Sequence, residues 1–385
     1  MKKIKFLMMA VVAMLATATF TACSDDDDET LSNMERYQRD VENTVRTQKK
    51  HDKVILLVAF GSTWQEAYDA FDETVKDYKK AFDGYDVFLS FSSAICINRA
   101  AAGENVEPRN FYEPKYWLEA FGRVQYKEII VQSMQVIPGE EFSRVVNAIK
   151  DFCNDSNGDL DDDYMAKFAF IEDEEADTEE PGENVIKLGL PLLYNETDIE
   201  TVAAALHTNF KDYVSDNKAL LLMGHGNPDE YDTYKANVRY TQLEKALQDK
   251  YHKHYYVGTV DMEDNFKVQV HNRMVAAGFP SNGEVFCAPL MSIAGDHAHN
   301  DMAGDDDKWK DAMATQTEGE AKGMSWKRYF SHLGYTLDLT ENGAYTDDGL
   351  VKGLLDYKNM RDIYIDHTNK AEAVNFYHSR LPEEE

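Results

Sequence analysis

Cysteine is scarce in this chain: Cys23, Cys96, Cys153 and Cys287 are all there is in 385 residues. Four scattered thiols exclude a disulfide framework and a thiolate zinc site. Positive charge is short too, with 40 Lys and Arg against 70 Asp and Glu, a formal net charge of −30. That balance argues against nucleic acid as a partner, since phosphate binding needs local cation density, and against a polybasic membrane patch. No apolar run reaches the roughly 20 residues of a bilayer span. Neither G-x-G-x-x-G nor G-x-x-x-x-G-K-[ST] follows a strand pattern, and no repeat of solenoid period is visible. What remains is an acidic, soluble chain of two-domain length, with 43% hydrophobic and 12% aromatic residues to build cores.

The N-terminus reads as an address. Lys2, Lys3 and Lys5 precede an apolar run from Phe6 to Phe20, which ends in Thr21-Ala22-Cys23. The run has the length of a signal-peptide core. Small residues before a cysteine resemble a bacterial lipobox, so residues 1–22 are expected to be removed and Cys23 acylated. An ordinary secretory cleavage with Cys23 incidental is the alternative. Ser24 to Glu29 then forms an acidic tether within a 23–52 segment, and the expected location is an exported, membrane-anchored lipoprotein of the periplasm or outer membrane.

Strands alternate with helices from there on. Lys53 to Phe60 is continuously apolar, as a strand covered on both faces must be, and a helical pattern from Trp64 to Phe82 follows it. The same unit recurs at 128–137 with 140–152, at 185–193 with 198–210, at 218–223 with 229–250, and at 255–260 with 266–277; a final strand at 284–291 precedes a polar segment. This succession predicts α/β architecture: two Rossmann-like domains with parallel sheets facing across a cleft. The boundaries are 53–199, 200–337, and a helical segment at 338–385 packing back on the body. An acidic insertion at 154–183 and a polar stretch at 312–323 are expected as surface loops. Asp159 to Asp163 lacks the alternating spacing of an EF-hand.

Such sheets bind ligands beyond the carboxyl ends of their strands. Histidine and carboxylate stand there. His225 sits in Met223-Gly224-His225-Gly226, Asp261 follows Val257-Gly258-Thr259-Val260, and His297 and His299 lie in Gly295-Asp296-His297-Ala298-His299-Asn300-Asp301. Two imidazoles and a carboxylate suit a divalent Co, Ni, Fe or Zn ion. Spacing alone leaves open that these are capping or hydrogen-bonded histidines with no metal.

Several of these segments resemble the class II tetrapyrrole chelatases, specifically the anaerobic sirohydrochlorin cobaltochelatases. The likeness rests on Pro289-Leu290-Met291 through Asp306, on Met223-Gly224-His225-Gly226 and Val257-Gly258-Thr259-Val260, and on Val58-Ala59-Phe60-Gly61-Ser62, Val131-Gln132-Ser133-Met134 and Gly189-Leu190-Pro191-Leu192-Leu193. It implies metal held by His225, Asp261 and His297, with Glu263 and His299 as alternatives for the last two, and His225 and His297 as catalytic groups. It implies Co²⁺ as substrate metal (Fe²⁺ or Ni²⁺ as others), no organic cofactor, and a tetrapyrrole partner touching Gln135 and Ser62. Two positions depart from the family. Asp261 stands where Glu is usual, and Gln135 where relatives carry His; an amide cannot take a pyrrole proton. The substrate's carboxylates call for cations, with Arg99, Arg109, Arg144, Arg239 and Arg273 unranked. A tetrapyrrole- or metal-binding lipoprotein without turnover, a dechelatase, and a homo-oligomer all stay open.

Overall fold

The computed structural model describes residues 32–103, 106–168, 182–304, 323–337 and 352–374. The signal segment, Cys23, the acidic tether and nearly all of 312–323 lie outside them. Among the described residues nine strands run in order: β1 (Lys53–Ala59), β2 (Asp86–Phe91), β3 (Glu128–Ser133), β4 (Val185–Gly189), β5 (Lys218–Gly224), β6 (Tyr255–Thr259), β7 (Glu284–Pro289), β8 (Thr336–Leu337) and β9 (Glu372–Ala373). They form two sheets, β2-β1-β3-β4-β9 and β6-β5-β7-β8. Every pairing is parallel except β9 on β4. Leaving aside β9, both sheets repeat one order, in which the chain reverses direction across the sheet between its first and third strands. Each therefore has a switch point at the carboxyl end, where a crevice opens.

The helices are α1 (Asn33–Gln48), α2 (Gln65–Ala81), α3 (Ala94–Ala102), α4 (Pro114–Arg123), α5 (Glu140–Cys153), α6 (Asp162–Met165), α7 (Glu196–Phe210), α8 (Val238–Lys250), α9 (Lys267–Ala276), α10 (Trp326–His332) and α11 (Lys358–Asn369). Strand alternation divides the core. Val54, Leu56 and Val58 of β1 pack with Val41, Phe121 and Ile149, under α1, α4 and α5. Ile55, Leu57 and Ala59 face the other way, into a core continuous with the second sheet.

Four expectations need correction. β2 was not anticipated, because Asp86 and Ser90 interrupt its apolar pattern; both are buried with partners, Asp86 accepting from the Lys50 and His51 amides and from Tyr126, and Ser90 donating to the Tyr112 carbonyl. The strand expected over 128–137 stops at Ser133, since the Met134 carbonyl is taken by the Ser292 and Tyr364 hydroxyls. The helix expected over 229–250 starts only at Val238, because the Asp232 carboxylate accepts the Ala236 and Asn237 amides and holds the preceding loop. The insertion is partly packed: Leu160, Tyr164 and Phe168 are buried, and Tyr164 donates to the Tyr126 carbonyl at 2.7 Å.

The C-terminal segment ties both sheets together. Leu354 and Leu355 amides donate to the Met291 and Ser292 carbonyls at 2.9 Å, and α11 then crosses to the first sheet. There both ring nitrogens of His367 face acceptors, the Leu190 carbonyl at 3.2 Å and Asp198 Oδ1 at 3.5 Å. Only an imidazolium has two N–H donors to satisfy both. Burial pulls this imidazole down, but the hydrogen bond and charge of Asp198 outweigh it and raise its pKa. A raised folded pKa stabilises fully below the unfolded value of about 6.5, and the gain is lost as pH rises through the folded pKa. His367→Gln should therefore lower Tm more near about pH 5.5 than near about pH 8.5. Equal losses at both would exclude a charged His367.

Candidate functional site

Backbone pairing builds the site. Met223 and Gly224 of β5 lie opposite Gly258 and Thr259 of β6, and Met223 lies opposite Pro289 of β7. Beyond the strand ends the pairing goes on: the Asp261 amide donates to the His225 carbonyl at 2.9 Å, and Leu290 to Met223 at 2.8 Å. His225 and Asp261 therefore leave adjacent strand ends side by side. The loop after β7 returns to the same place through a π-helical turn, His297–Met302. The glycines around His225 answer to neighbours rather than to a ligand: Gly226 has φ +77° and backs on Met262, and a side chain at Gly224 would enter the Tyr240 ring.

Three sequence-predicted residues converge. His225 Nε2 lies 3.8 Å from Asp261 Oδ2, and the His225 and His297 ring centroids are 4.8 Å apart at 85°. Two donors each about 2.0–2.2 Å from a shared ion can be separated by up to about 4.4 Å, so the first pair is within reach. The set is not a closed cage, and among the described residues no three such side chains already surround a point. Tautomers favour ligation. His225 Nδ1 bonds the Gly226 carbonyl at 2.7 Å, and His297 Nδ1 bonds Asp301 Oδ2 at 2.6 Å, so both Nε2 lone pairs are left for a metal. The Asp301 hydrogen bond raises the His297 pKa against burial, with Asp261 and Asp296 adding to it.

These residues open on a cavity of about 620 Å³ between the sheets, lined by the turns after β1, β3, β5 and β7. Three large apolar side chains, Phe60, Ile95 and Tyr231, stand 41%, 64% and 50% exposed on its walls. Gln135 lines it and is buried; its Oε1 accepts from Ser133, and its Nε2 has no partner among the described residues. Ser62 also lines it, but its Oγ accepts the Trp64 amide at 3.2 Å. Sequence reasoning missed Glu141, which enters from the first turn of α5. Burial pushes its carboxyl up, and the His225 and His297 imidazoles oppose that. Only its position just after the Pro138-Gly139 turn at a strand end signalled it.

The cobalt chelatase (CbiK) family profile matches residues 53–373. The chain belongs to that family. A sirohydrochlorin cobaltochelatase, CbiKC, of Nitratidesulfovibrio vulgaris is 27% identical over 324 residues, covering 83% of this chain and 90% of that one. The sirohydrochlorin cobaltochelatase of Salmonella typhimurium is 23% identical over 263 residues, covering 67% and 83%. A solved structure of SirB from Bacillus subtilis with Fe³⁺ aligns at 13% identity over 83% of this chain and 94% of that one, with a TM-score of 0.47, too low to bear on function. This chain is thus a class II chelatase of the CbiK family, and metal and tetrapyrrole are the substrates that family implies.

The remaining candidates other than Arg99 fall away from the cavity. Glu263 is exposed and does not line it, and the His299 ring lies against Trp64. Among the five arginines only Arg99 lines the cavity, 3.5 Å from Asp296. Arg109 is held by Asp72, Arg144 by Glu140, Arg239 by the Tyr194 carbonyl and Gln242, and Arg273 by Glu244. His225→Ala should abolish stoichiometric Co²⁺ binding by calorimetry, and Glu263→Ala should leave it unchanged. Retained binding in His225→Ala would sink this ligand set.

Proposed function

We propose that this family member inserts Co²⁺ into sirohydrochlorin, with His225, Asp261 and His297 receiving the metal before transfer. The observation that carries the reading is the convergence of these three groups on one wall of a cavity whose other walls expose Phe60, Ile95 and Tyr231. Flat apolar rings pack well against such surfaces. Both curated relatives named above are sirohydrochlorin cobaltochelatases.

The chemistry divides between metal and protons. Two imidazoles and a carboxylate leave coordination positions open, so that the ion can exchange ligands for pyrrole nitrogens. The macrocycle must also lose two protons. Glu141, whose carboxyl burial pushes up and which lies near both imidazoles, is placed to take a proton, and imidazole is itself a common general base. Gln135 takes none. It offers the macrocycle an amide N–H instead.

Purified protein with sirohydrochlorin and Co²⁺, followed by absorbance, tests the reading. Insertion by the natural chain is expected, slow if a base is missing at position 135. In that case Gln135→His should accelerate it by up to the 10²–10⁴-fold typical of general-base assistance. Tight tetrapyrrole uptake with no metal-dependent spectral change in either chain would favour a binder that serves uptake. The N-terminal cysteine motif favours such a role outside the cytoplasm. We place the protein on a membrane through acylated Cys23, each buried CH₂ of the lipid contributing about 0.8 kcal/mol. Cys23→Ser should release it to the soluble fraction; persistence with membranes would exclude that anchor.

A further inference from the structure

One contact between the two sides of the cavity lies beside His297. Trp64, which precedes α2 on the first sheet's side, stacks its indole on the His299 ring with centroids 3.6 Å apart and planes 8° from parallel. The same indole donates from Nε1 to Asp296 Oδ1 at 2.8 Å. Asp296 immediately precedes His297, and His299 follows it by two residues. Trp64 therefore grips the π-helical turn on both sides of the histidine. Arg99 of α3 adds a contact to Asp296 at 3.5 Å, across partly exposed side chains where an ion pair contributes little.

The turn needs such a grip. π-helical turns are rare, single-turn features found mostly at functional sites, and this one spans only His297–Met302. Ala298 and Met302 seat its inner side in the core, but the His297 face looks onto the cavity. On the outer side the indole is the flat surface that meets it. The Trp64 backbone is itself set by the Ser62 hydroxyl, which accepts its amide at 3.2 Å. Among the described residues His299 Nε2 is buried with no hydrogen-bond partner, and the ring meets Trp64 through its face.

We propose that Trp64 is a positioning residue for His297: reaching over from the opposite wall, its indole fixes the turn that presents this imidazole to the metal substrate. This rests on the metal-receiving role of His297 given above. It also makes His299 a stacking partner rather than a substitute ligand. The metal half of the site is then held in shape by the tetrapyrrole half.

The test uses the full chain and its Trp64→Ala, Trp64→Phe, His299→Ala and His299→Phe variants. Two readouts are needed: Co²⁺ affinity by calorimetry, and hydrogen exchange over residues 294–302 without metal. Trp64→Ala should weaken Co²⁺ binding about 10–100-fold, the usual loss when a residue orienting a ligand is removed, and should speed exchange in the turn while Tm stays close to that of the natural chain. Trp64→Phe keeps a stacking face and loses the N–H, so its loss should be intermediate. His299→Phe should recover most of the affinity lost in His299→Ala. If His299→Phe loses as much as His299→Ala, His299 acts through its nitrogen and the stacking account is overturned. Unchanged exchange in the metal-free Trp64→Ala turn would overturn the positioning role outright. That arm needs no metal, so it separates the proposal from the metal assignment, which fails if His225→Ala binds Co²⁺ normally. Should Trp64→Ala not fold, His299→Ala removes the same stack from the other side.

Discussion

Parallel pairing of β5 with β6 on one side and β7 on the other is the constraint from which the site follows, because it fixes which residues leave the sheet together. With Met223 opposite both Gly258 and Pro289, the residue after Gly224 must emerge beside the one after Val260, and the loop from β7 starts on the other flank. A slip of one residue in any of these strands would turn His225 or Asp261 to the wrong face. The ladder resists that slip because β5 is buried along nearly its whole length between two paired neighbours. His225 and Asp261 are thus held by rigid backbone at their roots, whereas His297 depends on a turn.

The first sheet repeats the same order, and its switch point supplies the other half of the cavity. The turn after β1 brings Phe60 and Ser62, and the segment after β3 brings Gln135 and Glu141. Two crevices of one kind thus face each other, one carrying imidazoles and a carboxylate for a cation, the other an amide donor and a second carboxylate. The C-terminal segment keeps them in register: its backbone pairs with 291–292 after β7, and Tyr364 of α11 donates to the Met134 and Gln135 carbonyls after β3. A chain end far from the chemistry in sequence therefore bears on both walls.

Much of this was legible in the residues. Continuous apolar runs announced β1, β5, β6 and β7, and polar residues just beyond strand ends pointed to His225, Asp261 and His297. What escaped has a common cause. β2 carries Asp86 and Ser90, whose partners Tyr126 and Tyr112 are distant in sequence, so its buried polar groups look like exposed ones. Glu141 reads as an ordinary acidic first turn of a helix, and Trp64 as a residue at the start of one. Their roles arise only when two sheets face each other. Sequence could not rank the five arginines, because the partners that hold four of them outside the cavity are set by the fold.

Among the described residues the cavity wall carries one arginine, Arg99, in a chain of net charge −30, which favours a cation at the proposed His225, Asp261 and His297 set. X-ray absorption of the protein loaded with one equivalent of Co²⁺ tests it most directly. The account predicts a first shell with two imidazole nitrogens and a carboxylate oxygen, near the about 2.0–2.2 Å typical of zinc-like ions, and loss of one imidazole in each of His225→Ala and His297→Ala. A shell of oxygen atoms alone, unaltered by either substitution, would contradict it.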